Sequence, residues 1–451
     1  MLNFGSVCSG IEASQLAFLP FGFNQLWSSE IAEFPSKVLE HHYPDVPNIG
    51  NMLNIPQMIL DEEIDAPDLF CGGTPCQAFS LAGWKNGLLD ERGQLTITFI
   101  EIANAIDKVR INKKQKPTIV LWENVEGVLN DRTNAFGNFI AGLAGFDDEI
   151  KVTKWSKAGY LEGPLRNVAW RVLDAKHFGL PQQRKRLYVL AGGKDFQPNK
   201  ILFELDKLDV SKKGCHDSSN TKLVMPNLFN EIESPLKTNS AKVFYKNGSK
   251  FEVFREYTDC LYAAYGTKWN GNAAAYNGSL YIAQNDRLRR LTPLECERLM
   301  GMPDNYTLVK GNRDTTRYQS IGNSWAVPVI KWIGSRIKES FNISNSFYND
   351  EWKKVIPHSK NNLNTELFLL GTVIKINHSF YLNTSASPND VIESNLQEVV
   401  QNENVPEKLY LSPLACKGIL RRKVEKDIKM NKRLEIIMSE ISSGQQELKT
   451  A

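Results

Sequence analysis

The alternation of short apolar runs with helix-like stretches over residues 1–190 is the feature that most constrains the fold. Each run ends in a glycine or a polar turn, as short buried β-strands do. The runs occupy residues 4–8, 68–71, 118–122 and 187–191. Between them, the clearest helix-like stretch has apolar residues at a spacing near 3.6, namely Leu95, Phe99, Ile102, Ile106 and Val109. This alternation predicts an α/β fold with a doubly wound, mostly parallel sheet, whose ligands bind at the carboxyl ends of the strands.

The residues after the second apolar run carry the strongest chemical signal. The predicted strand ends in Gly72-Gly73, whose backbone freedom permits a tight turn, and Pro75 then stiffens the approach to Cys76. Free cysteine is most often inert packing. A thiol on a strand-end loop, however, lies where open α/β sheets bind their ligands. We therefore interpret Cys76 as a candidate nucleophile.

Two other apolar runs adjoin groups suited to catalysis or binding. Glu123 follows the run at 118–122, and partial burial there can raise the pKa of a carboxyl so that it serves as an acid. The alternative is a helix cap or a loop charge. Arg184 and Arg186 directly precede the run at 187–191 and can clamp a base or phosphates. The alternative for them is a solvated basic turn.

Taken in order, these motifs resemble those of the DNA cytosine-5 methyltransferases. The resemblance covers roughly residues 4–340. Its parts are Ser9-Gly10-Ile11, Glu30, Gly73-Thr-Pro-Cys76-Gln, Glu123-Asn-Val, Gln182-x-Arg184-x-Arg186, residues 289–303 and Gly322-Asn323-Ser324. The resemblance implies a Rossmann-like methyltransferase domain that uses S-adenosylmethionine to modify cytosine in double-stranded DNA.

The resemblance also implies roles for the catalytic residues. The Cys76 thiolate would add to C6 of the base, because C5 becomes nucleophilic only after that addition; an ordinary thiol has a pKa of about 8.5 and needs activation. Glu123 would bind and protonate N3, Arg186 would hold the base oxygen and Arg184 would help to position the site. The base must be flipped out of the duplex for this chemistry.

For the cofactor, the resemblance implies two groups of contacts. Gly10 would let the backbone approach the methionine part, Glu30 would accept hydrogen bonds from the ribose hydroxyls, and Asn323 would contact the carboxylate. The full set of expected cofactor-binding residues is Ser9, Gly10, Ile11, Glu30, Asn51, Met52, Pro75, Asn323 and Ser324. The chain departs from the usual family pattern at Cys8, Glu12, Asn51 and Trp325. We expect Glu12 to point away from the cofactor carboxylate.

The resemblance implies a division into domains as well. Residues 1–193 plus 319–340 are expected to form the catalytic domain, 194–318 a target-recognition domain and 341–451 a C-terminal extension of unknown role. Sequence reading is expected within 194–285, where residues 257–277 mix aromatics, amides and glycines suited to base edges. A hairpin with core aromatics would look similar. An RNA methyltransferase and an inactive DNA-binding regulator are the alternatives; the long insert after Arg186 disfavours the first, and the intact catalytic set disfavours the second.

Composition adds expectations about partners and location. The formal net charge is only +3, so any DNA-binding surface must come from local clustering. Seven scattered cysteines without a CxxC pair or a zinc-like histidine spacing predict reduced thiols in the cytoplasm and no metal site. We found no signal peptide or apolar run of transmembrane length and expect no membrane association. The family suggests a bacterial or phage enzyme that is a monomer on DNA and that pairs with a restriction endonuclease or acts alone.

The segment at residues 412–433 is rich in Lys and Arg, and no family motif covers it. Ser412 and Pro413 form a good helix start, as N-cap and first-turn proline. A solvated basic face is the structural interpretation of the segment. The functional hypothesis is that it makes non-specific contacts with DNA phosphates.

Overall fold

The computed structural model describes residues 1–74, 91–207, 240–266, 276–311, 313–340, 351–356, 359–376 and 380–444. The chain divides into two compact units. Unit 1 comprises Met1–Asp174, Lys185–Leu228 and Val329–Val391, and unit 2 comprises Ala175–Arg184, Phe229–Pro328 and Ile392–Ala451. The residues after 340, predicted to be a separate extension, are therefore shared between the two units.

The elements are numbered here in chain order. The strands are β1 Asn3–Val7, β2 Asn24–Trp27, β3 Leu69–Gly72, β4 Ile119–Val125, β5 Ala158–Glu162, β6 Arg166–Asp174, β7 Lys185–Gly193, β8 Glu204–Lys207, β9 Lys242–Lys246, β10 Ser249–Val253, β11 Tyr281–Gln284, β12 Arg287–Arg290, β13 Leu367–Leu370, β14 Val373–Lys375 and β15 Phe380–Asn383. The α-helices are α1 Ala13–Phe18, α2 Glu33–His42, α3 Ile55–Leu60, α4 Glu91–Asn112, α5 Ala135–Ala144, α6 Asn199–Leu202, α7 Pro293–Leu299, α8 Asp314–Asn323, α9 Val327–Ser340, α10 Glu351–Val355, α11 Leu396–Val399, α12 Pro413–Glu425 and α13 Lys432–Ser442.

Unit 1 is built on an eight-stranded sheet with the order β13-β5-β6-β7-β4-β3-β1-β2. The four predicted apolar runs form β1, β3, β4 and β7, and the predicted helix is α4. Helices pack on both faces. Phe4 of β1 contacts Phe18 of α1 on one face, with ring centroids 5.3 Å apart. Phe70 of β3 contacts Phe99 of α4 on the other face, at 4.5 Å. Burial on both faces is why these strands are uniformly apolar.

The sheet is mixed, and the prediction of a mostly parallel sheet is wrong. Strands β1 to β4 pair in parallel, whereas β7, β6, β5 and β13 all pair antiparallel to their neighbours. The physical reason is the length of the connections. Only Gly163, Pro164 and Leu165 separate β5 from β6, and parallel strands need a crossover of a dozen or more residues.

Residues 351–383 also belong to unit 1. Strand β13 extends the edge of the main sheet along β5, and β14 and β15 form a small sheet with β8. Trp352 of α10 is fully buried and contacts Tyr160 and Phe368 edge-on. No helix in the described ranges has the length and apolar character required to span a membrane.

Unit 2 contains an antiparallel sheet of order β12-β11-β10-β9. The C-terminal helices α12 and α13 form a hairpin that packs on one face of this sheet. Their buried side chains include Ile419, Leu434 and Ile437, which share a core with Tyr281 and Leu288 of the strands. Ser412 caps α12 by accepting a hydrogen bond from the Ala415 N–H at 3.2 Å, as predicted.

Candidate active site

The carboxyl ends of β3 and β4 lie side by side at one edge of the main sheet. Because the two strands are parallel and Gly72 pairs with Trp122, Thr74 is level with Asn124 just beyond the end of β3. Thr74 is followed in the sequence by Pro75 and Cys76. Those two residues lie outside the described part of the chain.

Three hydrogen bonds hold Thr74 against β4 and α4. The Trp122 indole Nε1–H donates to Thr74 Oγ1 at 3.0 Å, and the Asn124 amide donates to the Thr74 carbonyl at 3.1 Å. The hydroxyls of Thr74 and Thr96 are 3.3 Å apart. All four residues are buried. The chain that enters the Pro75-Cys76 segment therefore starts from a rigid, well-anchored residue.

Glu123 and Arg186 form an ion pair at the same edge. Strands β4 and β7 are antiparallel and Glu123 pairs with Tyr188, so Glu123 and Arg186 point to the same face of the sheet. Arg186 Nε lies 3.1 Å from Glu123 Oε1, with the two side chains 16% and 10% exposed. Arg186 Nη1 also donates to the Lys185 carbonyl at 2.8 Å. Two of the predicted catalytic residues are thus in direct contact and are largely shielded from water.

Arg184 lies in unit 2, and its guanidinium bonds to several backbone carbonyls. It is 3% exposed. Its guanidinium donates to the carbonyls of Leu261, Gly322 and Ser324 at 3.1, 3.2 and 2.6 Å. Such contacts support the positioning role that was predicted for it. Glycine is needed at position 322 because a Cβ there would lie within 3 Å of the backbone of residues 262 and 263.

Gln182 performs a similar task beside Arg184. Its Nε2 donates to the Leu299 carbonyl at 2.8 Å, and its Oε1 accepts from the Leu261 N–H at 3.0 Å. The described residues of the predicted base-reading segment are consequently packed into unit 2. Thr258, Leu261 and Tyr265 are all buried. Residues 267–275 of that segment lie outside the described ranges.

The first glycine turn and Glu30 come together in unit 1. Gly10 has a φ of 57°, in the region that favours glycine. Its N–H donates to Glu30 Oε2 at 2.8 Å, and Glu30 Oε1 accepts from the N–H groups of Ile31 and Ala32. A carboxylate offers about four acceptor positions, so Glu30 could still accept hydrogen bonds from ligand hydroxyls. This chemistry fits the ribose of S-adenosylmethionine.

The neighbouring residues of this turn have distinct environments. Ser9 Oγ accepts from the Ser29 N–H at 2.9 Å, which ties the turn to the end of β2. Ile11 is buried, so only its backbone could face a ligand. Asn51 is exposed and its Oδ1 accepts from the Leu53 N–H at 3.1 Å. Met52 is buried.

The two unusual residues of the first turn are Glu12 and the half-buried Cys8. Glu12 is fully buried and accepts hydrogen bonds from Ser6 and Ser14, which agrees with the expectation that it points away. Burial raises the pKa of its carboxyl, although these hydroxyls and Gln25 lower it in part. Burial, reinforced by Glu30, raises the pKa of the Cys8 thiol to about 12, so Cys8 stays protonated at neutral pH.

The last predicted cofactor residues lie in unit 2. Asn323 is the final residue of α8 and is exposed, so its amide is available to a ligand. Ser324 is buried and its carbonyl accepts from Arg184. No cluster of three or more His, Cys, Asp or Glu side chains that could hold a metal occurs within the described ranges.

Sequence reasoning did not assign a role to Thr74, Trp122 or Asn124. Thr74 and Asn124 are parts of the motifs that identified the site, but a motif does not show which side chain bonds to which backbone group. The parallel pairing of β3 and β4 could have suggested their proximity.

Comparisons with known proteins identify the family to which the chain belongs. Residues 2–339 match the family described as C-5 cytosine-specific DNA methylase. The chain is 26% identical over 360 residues to the type II methyltransferase M.HhaI of Haemophilus parahaemolyticus, covering 76% of this chain and 95% of that protein. It is 30% identical over 339 residues to M1.ScrFI of Lactococcus lactis subsp. cremoris, covering 70% and 74%.

A third relative is a protein of Escherichia phage P1 described as a DNA N-6-adenine-methyltransferase. The two are 33% identical over 464 residues, which cover 75% of this chain and 61% of the phage protein. The chain therefore spans less than two thirds of that relative.

Proposed function

Because the chain belongs to the C-5 cytosine-specific DNA methylase family and is a DNA cytosine-5 methyltransferase, we propose that it methylates C5 of a flipped cytosine in a specific double-stranded sequence, through a covalent bond between Cys76 and C6. The observation that carries this proposal is the Glu123–Arg186 pair at the sheet edge where the Thr74 anchor leads into Cys76. An acid and a planar cation at the sheet edge, together with the thiol of Cys76, are the groups that cytosine activation needs.

Each group has a chemical task in this mechanism. The Cys76 thiolate attacks C6, and the ring electrons move toward C5 while Glu123 protonates or hydrogen-bonds N3. Arg186 binds the base oxygen. When bound, S-adenosylmethionine supplies the electrophilic methyl group to C5. A proton acceptor then removes the C5 proton, the bond between the Cys76 sulfur and C6 breaks, and the aromatic ring is restored.

The ion pair explains how the acid is held before the base arrives. Arg186 contacts Glu123 through Nε and the Lys185 carbonyl through Nη1. The guanidinium is therefore fixed in orientation, and Glu123 is fixed with it. Preorganised groups of this kind avoid a reorganisation cost during the reaction. Arg184 acts indirectly: it positions the backbone at Leu261 and Ser324 by donating hydrogen bonds to their carbonyls.

The cofactor is proposed to bind through two sets of residues. Ser9, Gly10, Ile11, Glu30, Asn51, Met52 and Pro75 form one set, and Asn323 and Ser324 form the other. The acceptor capacity of Glu30 and the exposure of Asn323 support this assignment. We propose that residues 194–318 read the sequence and that the enzyme acts as a monomer in the cytoplasm. It either protects DNA from a cognate restriction endonuclease or acts alone.

Trapping on modified DNA tests the covalent step. DNA with 5-fluorocytosine at the target retains the enzyme, since the C5 fluorine cannot leave as a proton does. Wild type and Cys416→Ala, which alters a buried thiol of unit 2, should both form the adduct, and Cys76→Ala should not. An adduct that persists in Cys76→Ala would refute the assignment.

Nucleoside analysis of DNA from expressing cells tests the product. We expect 5-methylcytosine, and bisulfite sequencing should then give the recognised site. N6-methyladenine alone would contradict the proposal, because an exocyclic amine needs no thiol to activate it.

A further inference from the structure

The turn between α12 and α13 carries three exposed lysines. Two of them, Lys426 and Lys429, lie between the helices, and the third, Lys432, is the first residue of α13. We call these three residues the lysine turn. They form no ion pair with any residue in the described part of the chain, whereas Arg421, Lys423 and Arg433 do.

Those other cations have structural partners. Lys423 of α12 lies 2.8 Å from Glu435 of α13 and so links the two helices. Arg433 makes two hydrogen bonds of 2.7 Å to Glu252 of β10, and these lower the pKa of that carboxyl. Arg421 pairs with Glu425 within α12. Arg421, Lys423 and Arg433 thus form a structural group that is distinct from the lysine turn.

Helix stability accounts for Lys426 but not for Lys432. Lys426 is the C-cap residue of α12, where a cation faces the negative end of the helix dipole. Lys432 is the first residue of α13, and a cation at a helix N-terminus is unfavourable because it faces the positive end of the helix dipole. Lys429 lies between the helices and interacts with neither terminus directly. The helix dipole therefore favours a lysine at position 426 but not at position 432.

Asn431 fixes the position of the turn within unit 2. It is 5% exposed. Its N–H donates to the Tyr276 carbonyl at 3.0 Å, and its amide donates to the Ser240 carbonyl at 3.3 Å. Tyr276 directly follows residues 267–275 of the predicted base-reading segment. The turn is thus bonded to the residue that immediately follows 267–275 in the sequence.

We propose that Lys426, Lys429 and Lys432 bind the phosphate backbone of duplex DNA beside the base-reading segment. This proposal rests on the proposed function, since it assigns DNA as the partner of unit 2. Duplex DNA presents about one negative charge per 1.7 Å of helix axis, and lysine binds phosphate as a point charge without reading the base. The lysine turn lies outside residues 2–339, the range that matches the family.

Salt dependence of binding tests the proposal. The full-length enzyme and the triple variant Lys426→Gln, Lys429→Gln, Lys432→Gln are titrated with a duplex of about 30 base pairs at several salt concentrations. Each lost phosphate contact should reduce the slope of log affinity against log salt by about 0.9, so the triple variant should lose between about 2 and 3. Lys429→Gln alone should lose about 0.9. The methylated sequence should be unchanged.

A matched control carries the same loss of charge elsewhere. Lys113, Lys114 and Lys116 are exposed and lie in unit 1, in the turn that leads to the amino end of β4. Their triple glutamine variant should keep the wild-type slope. A slope that is unchanged in the lysine-turn variant, or one that falls equally in the control, would overturn the proposal.

The outcome is separable from that of the proposed function. If DNA from cells that express the wild-type enzyme contained no 5-methylcytosine, the proposed function would be refuted, whatever the salt slope. A lowered slope in a variant that still yields 5-methylcytosine supports the lysine contacts. Equal thermal unfolding of wild type and variant shows that the loss of binding does not come from loss of fold.

Discussion

At the residue scale, we predict that Trp122 influences the reaction through its hydrogen bond to Thr74. Its indole N–H donates to Thr74 Oγ1 at 3.0 Å, two residues before Cys76. We predict that Trp122→Phe, which keeps an aromatic ring but removes the donor, lowers the single-turnover rate about two- to tenfold, in line with about 0.5–1.5 kcal/mol for a buried hydrogen bond. KM for DNA should barely change.

Trp155→Phe is the matched control for that variant. Trp155 donates to Asn134 Oδ1 at 3.1 Å and is also buried in unit 1. It should lose similar stability but keep the wild-type rate. If both variants slow methyl transfer equally, Trp122 supports only the fold, and its hydrogen bond to Thr74 has no separate effect on the reaction.

Glu123 is predicted to act as an acid at N3. Glu123→Gln keeps the size of the side chain but cannot donate a proton in the same way, so single-turnover transfer should fall by roughly two to four decades. Binding of S-adenosylmethionine should be preserved. Glu126→Gln alters a nearby acid that pairs with Lys157 instead, and it should react at the wild-type rate. An unchanged rate in Glu123→Gln would limit the role of Glu123 to its ion pair with Arg186.

Glu30 is predicted to bind the ribose of the cofactor. Glu30→Ala should weaken S-adenosylmethionine binding by about 1–3 kcal/mol, the usual value of a hydrogen bond to a charged group. Part of the loss would come from the Gly10 turn, whose N–H donates to Glu30. Calorimetry should therefore show a smaller loss for Glu30→Gln. Glu33→Ala, which removes an exposed acid, should bind normally, and equal affinity in all four proteins would contradict the assignment.

At the element scale, the sequence predicted the strands that are buried on both faces. β1, β3, β4 and β7 stand out as apolar runs because helices cover both sides of the sheet. β5 and β6 were missed, although the Gly163-Pro164 turn is a hairpin signal that could have indicated them. The contact partners of Thr74 and Arg184 could not be predicted, because they depend on which loops the tertiary fold brings together.

The C-terminal hairpin is an element whose importance the sequence did not show. The sequence predicted its start at Ser412, but not that Ile419, Leu434, Ile437, Met438 and Ile441 would complete the core of unit 2. Burying five such side chains contributes roughly 10 kcal/mol, at about 1.5–3 kcal/mol each. That is comparable with the whole stability of a typical domain.

Truncation at residue 411 should therefore unfold unit 2 rather than only weaken DNA binding. A milder variant makes the point quantitative. Ile437→Ala should lower the free energy of unfolding by about 2–5 kcal/mol, whereas Ile436→Ala, at a position 49% exposed, should change it little. Denaturant unfolding measures both. Equal stability of the two variants would show that the hairpin is not part of the core.

At the scale of the whole molecule, unit 2 is discontinuous in sequence, and this limits how its specificity can be exchanged. Its sheet comes from residues 242–290 and its covering hairpin from residues 413–442. The pair of Arg433 with Glu252 joins the two parts directly. If only the sheet residues 242–290 were replaced by those of a relative, the new side chains would have to pack against a hairpin that fits the original ones. Misfit in a packed core costs stability on either side of the ideal volume.

We predict that a hybrid with residues 240–311 of a relative of different specificity is poorly soluble, whereas a hybrid that also takes the relative's structural counterpart of 412–444 folds. Bisulfite sequencing should show the second hybrid methylating the donor's sites, because Glu123 and Arg186 remain in unit 1. Reinsertion of the chain's own segments through the same junctions controls for the cuts. Methylation of the original sites by the second hybrid would place recognition outside unit 2. Full activity of the first hybrid at the donor's sites would show that the hairpin does not constrain the reader.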